Sequence, residues 1–241
     1  MYFADIHCHM IYGVDDGART KEDMFAMFEK AYADNVRTVC VTPHFHPGYF
    51  GDNTEKTDRA YEELQAYAAE HHPDVKLFRG NELYFKKGAR VWIEDGHCKT
   101  LGGTKYVLVD FREGENAENV TDGVYRLLNA GYRPVLAHLE RYDIYKRGMS
   151  VAASLKMDGV LLQADSGSFL GDFGFWPKRR AKQLLKEGLL DVISSDAHGL
   201  EHRCSNMTET FDLVVKLAGR NVAEDLFANN AKKILGIDLE D

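Results

Sequence analysis

Val36-Arg37-Thr38-Val39-Cys40-Val41-Thr42-Pro43-His44 is the stretch from which the fold can be read. The run over 36–41, rich in β-branched side chains, predicts a short buried strand, and Thr42-Pro43 then carries the chain to a histidine just past its C-terminal end. The pattern recurs along the chain. Apolar runs at residues 2–6, 75–79, 105–110, 133–137, 159–163 and 190–194 predict further buried strands, about seven in all. Helical periodicity fills the intervals. Thr20 and Asp23 form a capping pair ahead of a stripe made by Met24, Met27, Phe28 and Ala31. Further helices are predicted over 55–71, 117–130, 142–156, 177–187 with Pro177 in the first turn, 207–217, and about 221–234. Strands apolar along their whole length, alternating with helices, imply a parallel sheet covered by helices. A barrel of about seven β/α units fits this alternation better than an open doubly wound sheet. Residues 84–104, with Lys86, Lys87, Arg90 and several glycines, lack a helix pattern and predict an excursion.

The 241 residues suit one domain spanning 1–241, since a single α/β barrel commonly reaches this size. A formal charge of -8 argues against a broad grip on nucleic acid, which needs clustered positive charge. No run approaches the roughly 18 apolar residues of a membrane span, so membrane insertion is not expected. Cys8, Cys40, Cys98 and Cys204 lack close paired spacing, which fits neither a disulfide framework nor a zinc knuckle. A reducing cytoplasm is the expected compartment.

Metal-capable side chains fall at the C-terminal ends of the predicted strands, where parallel β/α folds assemble their sites. His7 and His9 follow the first strand, with Asp16 in the loop beyond. His44 follows the second, Glu82 the third, Asp110 ends the fourth, His138 follows the fifth, and Asp196 and His198 follow the last. Residues two apart on an extended chain project to one side, so His7 with His9, and Asp196 with His198, can share an ion. Either pair alone also reads as a hydrogen-bonded strand end. Five histidines and four carboxylates gathered at one rim without cations, however, would carry large desolvation and repulsion costs. Mixed imidazole and carboxylate donors suit Mn, Fe or Zn. Cys8 alternates away from its flanking histidines. A thiolate nucleophile in an anion-cradling loop would need Arg six positions on, and those positions hold Val14, His46, Thr104 and Thr210.

Asp5-Ile6-His7-Cys8-His9, Val14-Asp15-Asp16-Gly17, Thr42-Pro43-His44, Asn81-Glu82, Leu136-Ala137-His138-Leu139-Glu140-Arg141-Tyr142 and Ser195-Asp196-Ala197-His198 together resemble the bacterial metal-dependent protein-tyrosine phosphatases of the PHP (polymerase and histidinol phosphatase) superfamily, in the branch linked to capsule and exopolysaccharide synthesis. The resemblance implies an α/β fold, a distorted (β/α)7 barrel of the PHP type, with three divalent ions, usually described as Mn2+. It places His7, His9, Glu82 and Asp196 on one ion, Glu82, Asp110 and His138 on a second, and Asp16, His44 and His198 on a third. Asp110 stands where this branch typically has Glu. Arg141 and Arg203 match the family's phosphate-binding arginines. From the residues alone, Arg141 pairs locally with Glu140 or Asp143 and Arg203 is solvated.

The implied reaction is hydrolysis of phosphotyrosine by metal-activated hydroxide, without a phosphoenzyme, on a partner such as a bacterial tyrosine autokinase. Three divalent ions against the four carboxylates leave an excess of two positive charges, which a phosphate monoester dianion cancels. A small phosphomonoester such as histidinol phosphate is the alternative substrate, and a non-catalytic metal-stabilised binding protein is the alternative of another class. His46 reads either as an exposed loop histidine or as assisting the leaving group, and is not counted among the site residues. Tyr49 and Phe50, with Tyr84, Phe85, Lys86 and Lys87, read either as a wall for a tyrosine ring or as a packed loop with basic tips.

Overall fold

The computed structural model describes residues 1–112, 114–142 and 148–238. Strands β1 (Phe3–Asp5), β2 (Val36–Val41), β3 (His44–Phe45), β4 (Lys76–Arg79), β5 (Glu82–Tyr84), β6 (Tyr106–Asp110), β7 (Arg133–Leu136), β8 (Leu161–Asp165) and β9 (Val192–Ser194) pair in parallel. They run in two sections, β1-β2-β4 and β3-β5-β6-β7-β8-β9. The expected strands correspond to β1, β2, β4, β6, β7, β8 and β9. The count of seven needs correction, because β3 and β5 are separate short strands that follow β2 and β4 after a break.

The breaks have local causes. Pro43 has no N–H to give a ladder. After β4, Asn81 bonds across the break: its Nδ2 donates to Pro43 O at 3.1 Å, and its Oδ1 accepts from Lys99 N at 2.8 Å. The sheet bends there and curls until its two ends meet. Asp196 N donates to His7 O and His9 N to Ala197 O, both at 2.8 Å, while Cys8 and Ala197 form a parallel bridge. One buried cluster joins Ala4 of β1, Cys40 of β2, Leu108 of β6, Val135 of β7 and Val192 of β9. These strands are not all sheet neighbours, so only a curled sheet brings their side chains into one core.

Helices α1 (Lys21–Ala33), α2 (Pro47–Phe50), α3 (Thr54–His71), α4 (Ala89–Glu94), α5 (Ala117–Asn129), α6 (Ser150–Met157), α7 (Ser166–Leu170), α8 (Phe175–Lys186) and α9 (Met207–Ala218) pack around the sheet, and a helical run over 220–234 follows. In α1 the Thr20 hydroxyl accepts from Asp23 N, and the Asp23 carboxylate accepts from Thr20 N. Met24, Met27, Phe28 and Ala31 are buried, as their spacing requires. α8 begins two residues before the expected start, leaving Pro177 in its first turn. The helix expected over 142–156 is seen from Ser150 as α6; residues 143–147 lie outside those described. The excursion does contain a helix, α4, which enters from Gly88 at φ +96° and buries Ala89 and Ile93. A helix of 6 residues with two buried positions is too short for its periodicity to register.

Candidate metal centre

Every predicted donor sits at the mouth formed by the C-terminal ends of the strands, and the curl brings them within reach of one another. Three groups have ligand atoms within 4.8 Å of each other: His7, His9 and Glu82; Glu82, Asp110 and His138; and His9, Asp16, His44 and His198. Set beside the expected ion sets, these groups lack Asp196 and show two further differences. His9 faces the third group as well as the first. Glu82 reaches all three, with Oε2 lying 3.4 Å from His7 Nε2, 3.2 Å from His9 Nε2 and 2.8 Å from His44 Nδ1, and Oε1 lying 2.8 Å from His138 Nε2. Asp196 faces the first group, its Oδ1 being 3.3 Å from His7 Nε2 and 3.4 Å from His9 Nε2. Asp110, despite its shorter side chain, still joins Glu82 and His138.

The chemistry of these donors fits a cation. His7 Nδ1 is held by Gln163 Oε1 at 3.1 Å and His9 Nδ1 by Asp15 Oδ2 at 2.8 Å, which leaves each Nε2 as the free donor atom. Those two Nε2 atoms face each other at 3.2 Å and also face the carboxylates of Glu82 and Asp196. Lone pairs turned toward one another in a buried space repel unless a positive charge lies between them. Glu82 Oε2, Asp196 Oδ1, His138 Nδ1 and His198 Nε2 are all buried without a satisfying hydrogen bond.

The electrostatics agree. Burial opposes charge on His9, yet Asp15, Asp196 and Glu82 hold it well above the usual imidazole range. Burial opposes charge on His138 too, but Asp110 and Glu82 outweigh it and lift the ring to about 9. Conversely, Glu82 and Asp196 stay well below the usual carboxylate range against burial, because His44 and His7 lie beside the first and His7 and Arg141 beside the second. Burial raises Asp110, whose Oδ1 accepts from the Tyr142 hydroxyl at 2.6 Å. This field draws protons onto imidazoles, and divalent cations compete for the same lone pairs.

Arg141 and Arg203 approach from the far side of Asp196. Its Oδ2 accepts from Arg141 Nη2 at 2.5 Å and Arg203 Nη2 at 2.7 Å, and Arg141 Nη2 also meets Asp165 Oδ2 at 2.5 Å. The solvated Arg203 is therefore corrected, since Arg203 pairs with Asp196 seven residues before it; Arg141 pairs with Asp196, 55 residues away, and with Asp165, while Asp143 lies outside the described residues. The ring of Phe173 packs under Arg141, 3.8 Å from the guanidinium carbon to the centroid. His138, Asp196 and Arg203 have φ of +33°, +49° and +49°, a conformation costly for residues other than glycine.

Sequence reasoning missed the groups behind the donors: Asp15, Gln163, Tyr142, Asp165, Glu140 and Phe173. Asp15 had a signal, standing next to Asp16. Besides His9, its carboxylate accepts from Gly17 N and His44 N, fixing the loop that carries Asp16. Gln163 Oε1 accepts from His138 N at 2.8 Å as well as contacting His7, so one amide orients two donors. The cysteines take no part in these donor groups. Cys8, Cys40 and Cys98 are buried, and burial pushes the thiols of Cys8 and Cys98 well up and that of Cys40 to about 12.

The profile of the family described as capsular polysaccharide synthesis, CpsB/CapC, matches residues 3–236. The tyrosine-protein phosphatase CpsB of Streptococcus pneumoniae is 30% identical over 236 residues, covering 96% of this chain and 97% of that protein. YwqE of Bacillus subtilis, also named a tyrosine-protein phosphatase, is 27% identical over 231 residues, covering 96% and 91%. A crystal structure from work on YwqE and the pneumococcal CpsB, described as unique metal-dependent tyrosine phosphatases, superposes with a TM-score of 0.88 at 27% identity over 97% of this chain and 94% of that one. The chain belongs to the CpsB/CapC family of capsular polysaccharide synthesis proteins.

Proposed function

We propose that the chain is a metal-dependent protein-tyrosine phosphatase that acts in the cytoplasm on a phosphorylated bacterial tyrosine autokinase controlling capsular or exopolysaccharide synthesis. The observation that carries this reading is the set of three overlapping donor groups, two of them sharing Glu82 and two sharing His9, with two arginines at their edge. We take the curled sheet as a distorted seven-unit barrel and residues 1–241 as one domain. His7, His9, Glu82 and Asp196 would hold one ion, Glu82, Asp110 and His138 a second, and Asp16, His44 and His198 a third, with Mn2+ our assignment and Fe or Zn suited to the same donors.

Divalent ions bound there supply positive charge to phosphoryl oxygens and lower the pKa of water toward about 7. The protein's own groups do the rest. The side chains of Arg141 and Arg203 stay partly exposed while one Nη2 of each is held by Asp196, so each guanidinium keeps further N–H donors for a non-bridging phosphate oxygen. Their anchorage on Asp196 fixes those donors before substrate arrives. The departing phenolate, with a pKa of about 10, needs little help from a general acid.

The test is turnover of a phosphotyrosine peptide and of histidinol phosphate by the purified chain, after chelation and after return of Mn2+. Peptide hydrolysis lost on chelation and restored by metal supports the reading. A large preference for histidinol phosphate would move the substrate to a small phosphomonoester. Full metal occupancy without turnover of either would make the chain a binding protein.

A further inference from the structure

β3 and β5 lie side by side in parallel, with His44 opposite Glu82 and Phe45 opposite Leu83. Alternation along each strand sets what comes next. Phe45 and Leu83 point into the core, so the residues after them, His46 and Tyr84, return to the face that carries His44 and Glu82. One rung of about 6–7 Å beyond the metal donors, the two rings stack with centroids 4.0 Å apart and planes 13° from parallel. Tyr84 is also the register partner of Asp110. Tyr49 continues the row, stacking on His46 at 5.8 Å, and is 77% exposed, while Phe50 lies parallel to His44 at 5.5 Å. Lys86 Nζ stands 5.7 Å from the Tyr84 centroid. Phe85, which the sequence grouped with this wall, turns the other way onto Phe111.

An aromatic row, partly buried at His46 and Tyr84 and exposed at Tyr49, lies directly beyond the candidate metal donors, where the substituent of a phosphate ester held there would pass. We propose that His46 and Tyr84, with Tyr49 at their outer edge, form the leaving-group subsite and select aryl over alkyl phosphate monoesters; this rests on the phosphatase reading above. Small polar leaving groups have nothing to stack against these rings, whereas a phenol ring gains an offset-stacked or edge-on contact.

Calorimetric titration of the metal-reconstituted full chain with phenylphosphonate and methylphosphonate, neither of which is hydrolysed, reads the subsite without turnover. The wild type is expected to bind phenylphosphonate about tenfold tighter. Tyr84→Ala should bring that ratio close to one, Tyr84→Phe should keep it, and Tyr49→Ala, at an exposed position where folding is not at stake, should lower it about twofold. Binding of both phosphonates with a ratio indifferent to Tyr84→Ala and Tyr49→Ala would overturn the subsite and leave the phosphatase reading standing. Failure of the wild type to bind either would overturn both.

Discussion

Asp15 touches His9 through a single 2.8 Å bond to Nδ1, and that bond decides which ring nitrogen remains free. Asp15→Asn should therefore weaken metal binding by about 10–100-fold with the fold intact, as read by competition with a chelating dye; unchanged affinity would remove Asp15 from the supporting set. Glu140 makes a different prediction. Its carboxyl is fully buried and pushed up to about 7 by burial and then by the nearby charge of Asp165. A carboxyl raised above its unfolded value near 4.5 contributes stability that is complete below pH 4.5 and lost as pH rises through about 7. Glu140→Gln cannot ionise, so in chelator its melting temperature should gain on the wild type between pH 5 and pH 8; a constant difference would refute the assignment. The donors are legible in the sequence because His-x-His and Asp-x-His at strand ends carry a local alternation signal. Gln163, which lies 156 positions from the His7 ring it orients, carries none. Asp165 and Phe173 are hidden for the same reason: their partners exist only once the sheet has curled.

At the level of elements, the helix with a complete capping box is the one most faithfully legible. Thr20→Ala should cost about 1 kcal/mol and lower the melting temperature by about 2–4 °C, without changing metal affinity. Gly17→Ala should lower metal affinity as well as stability. A Cβ there would stand 1.9 Å from His9 O, so the loop bearing Asp15 and Asp16 must move away from the donors, and metal titration should show the loss. Equal effects of the two substitutions on metal binding would contradict this division. Strand existence was legible from β-branched runs. Strand splitting was not, because it depends on Asn81 capturing Pro43 and Lys99 across a break.

For the whole molecule, candidate donors drawn from residues 7 to 198 predict that ion binding and folding are coupled. Each ion at 100 times its dissociation constant adds about 2.7 kcal/mol, so a chelator should lower the melting temperature by at least about 5 °C and returned metal should restore it. An unchanged transition would detach the donor set from any ion. The meeting of His7 and His9 with Asp196 and Ala197 also has a consequence for synthesis. At bacterial elongation rates of about 5–20 residues per second, the first histidines leave the ribosome roughly 10–40 s ahead of the last carboxylate they need. A nascent or truncated polypeptide ending before that point displays imidazoles with an unfinished complement of partners, and hydrolytic power arrives only once that segment has emerged.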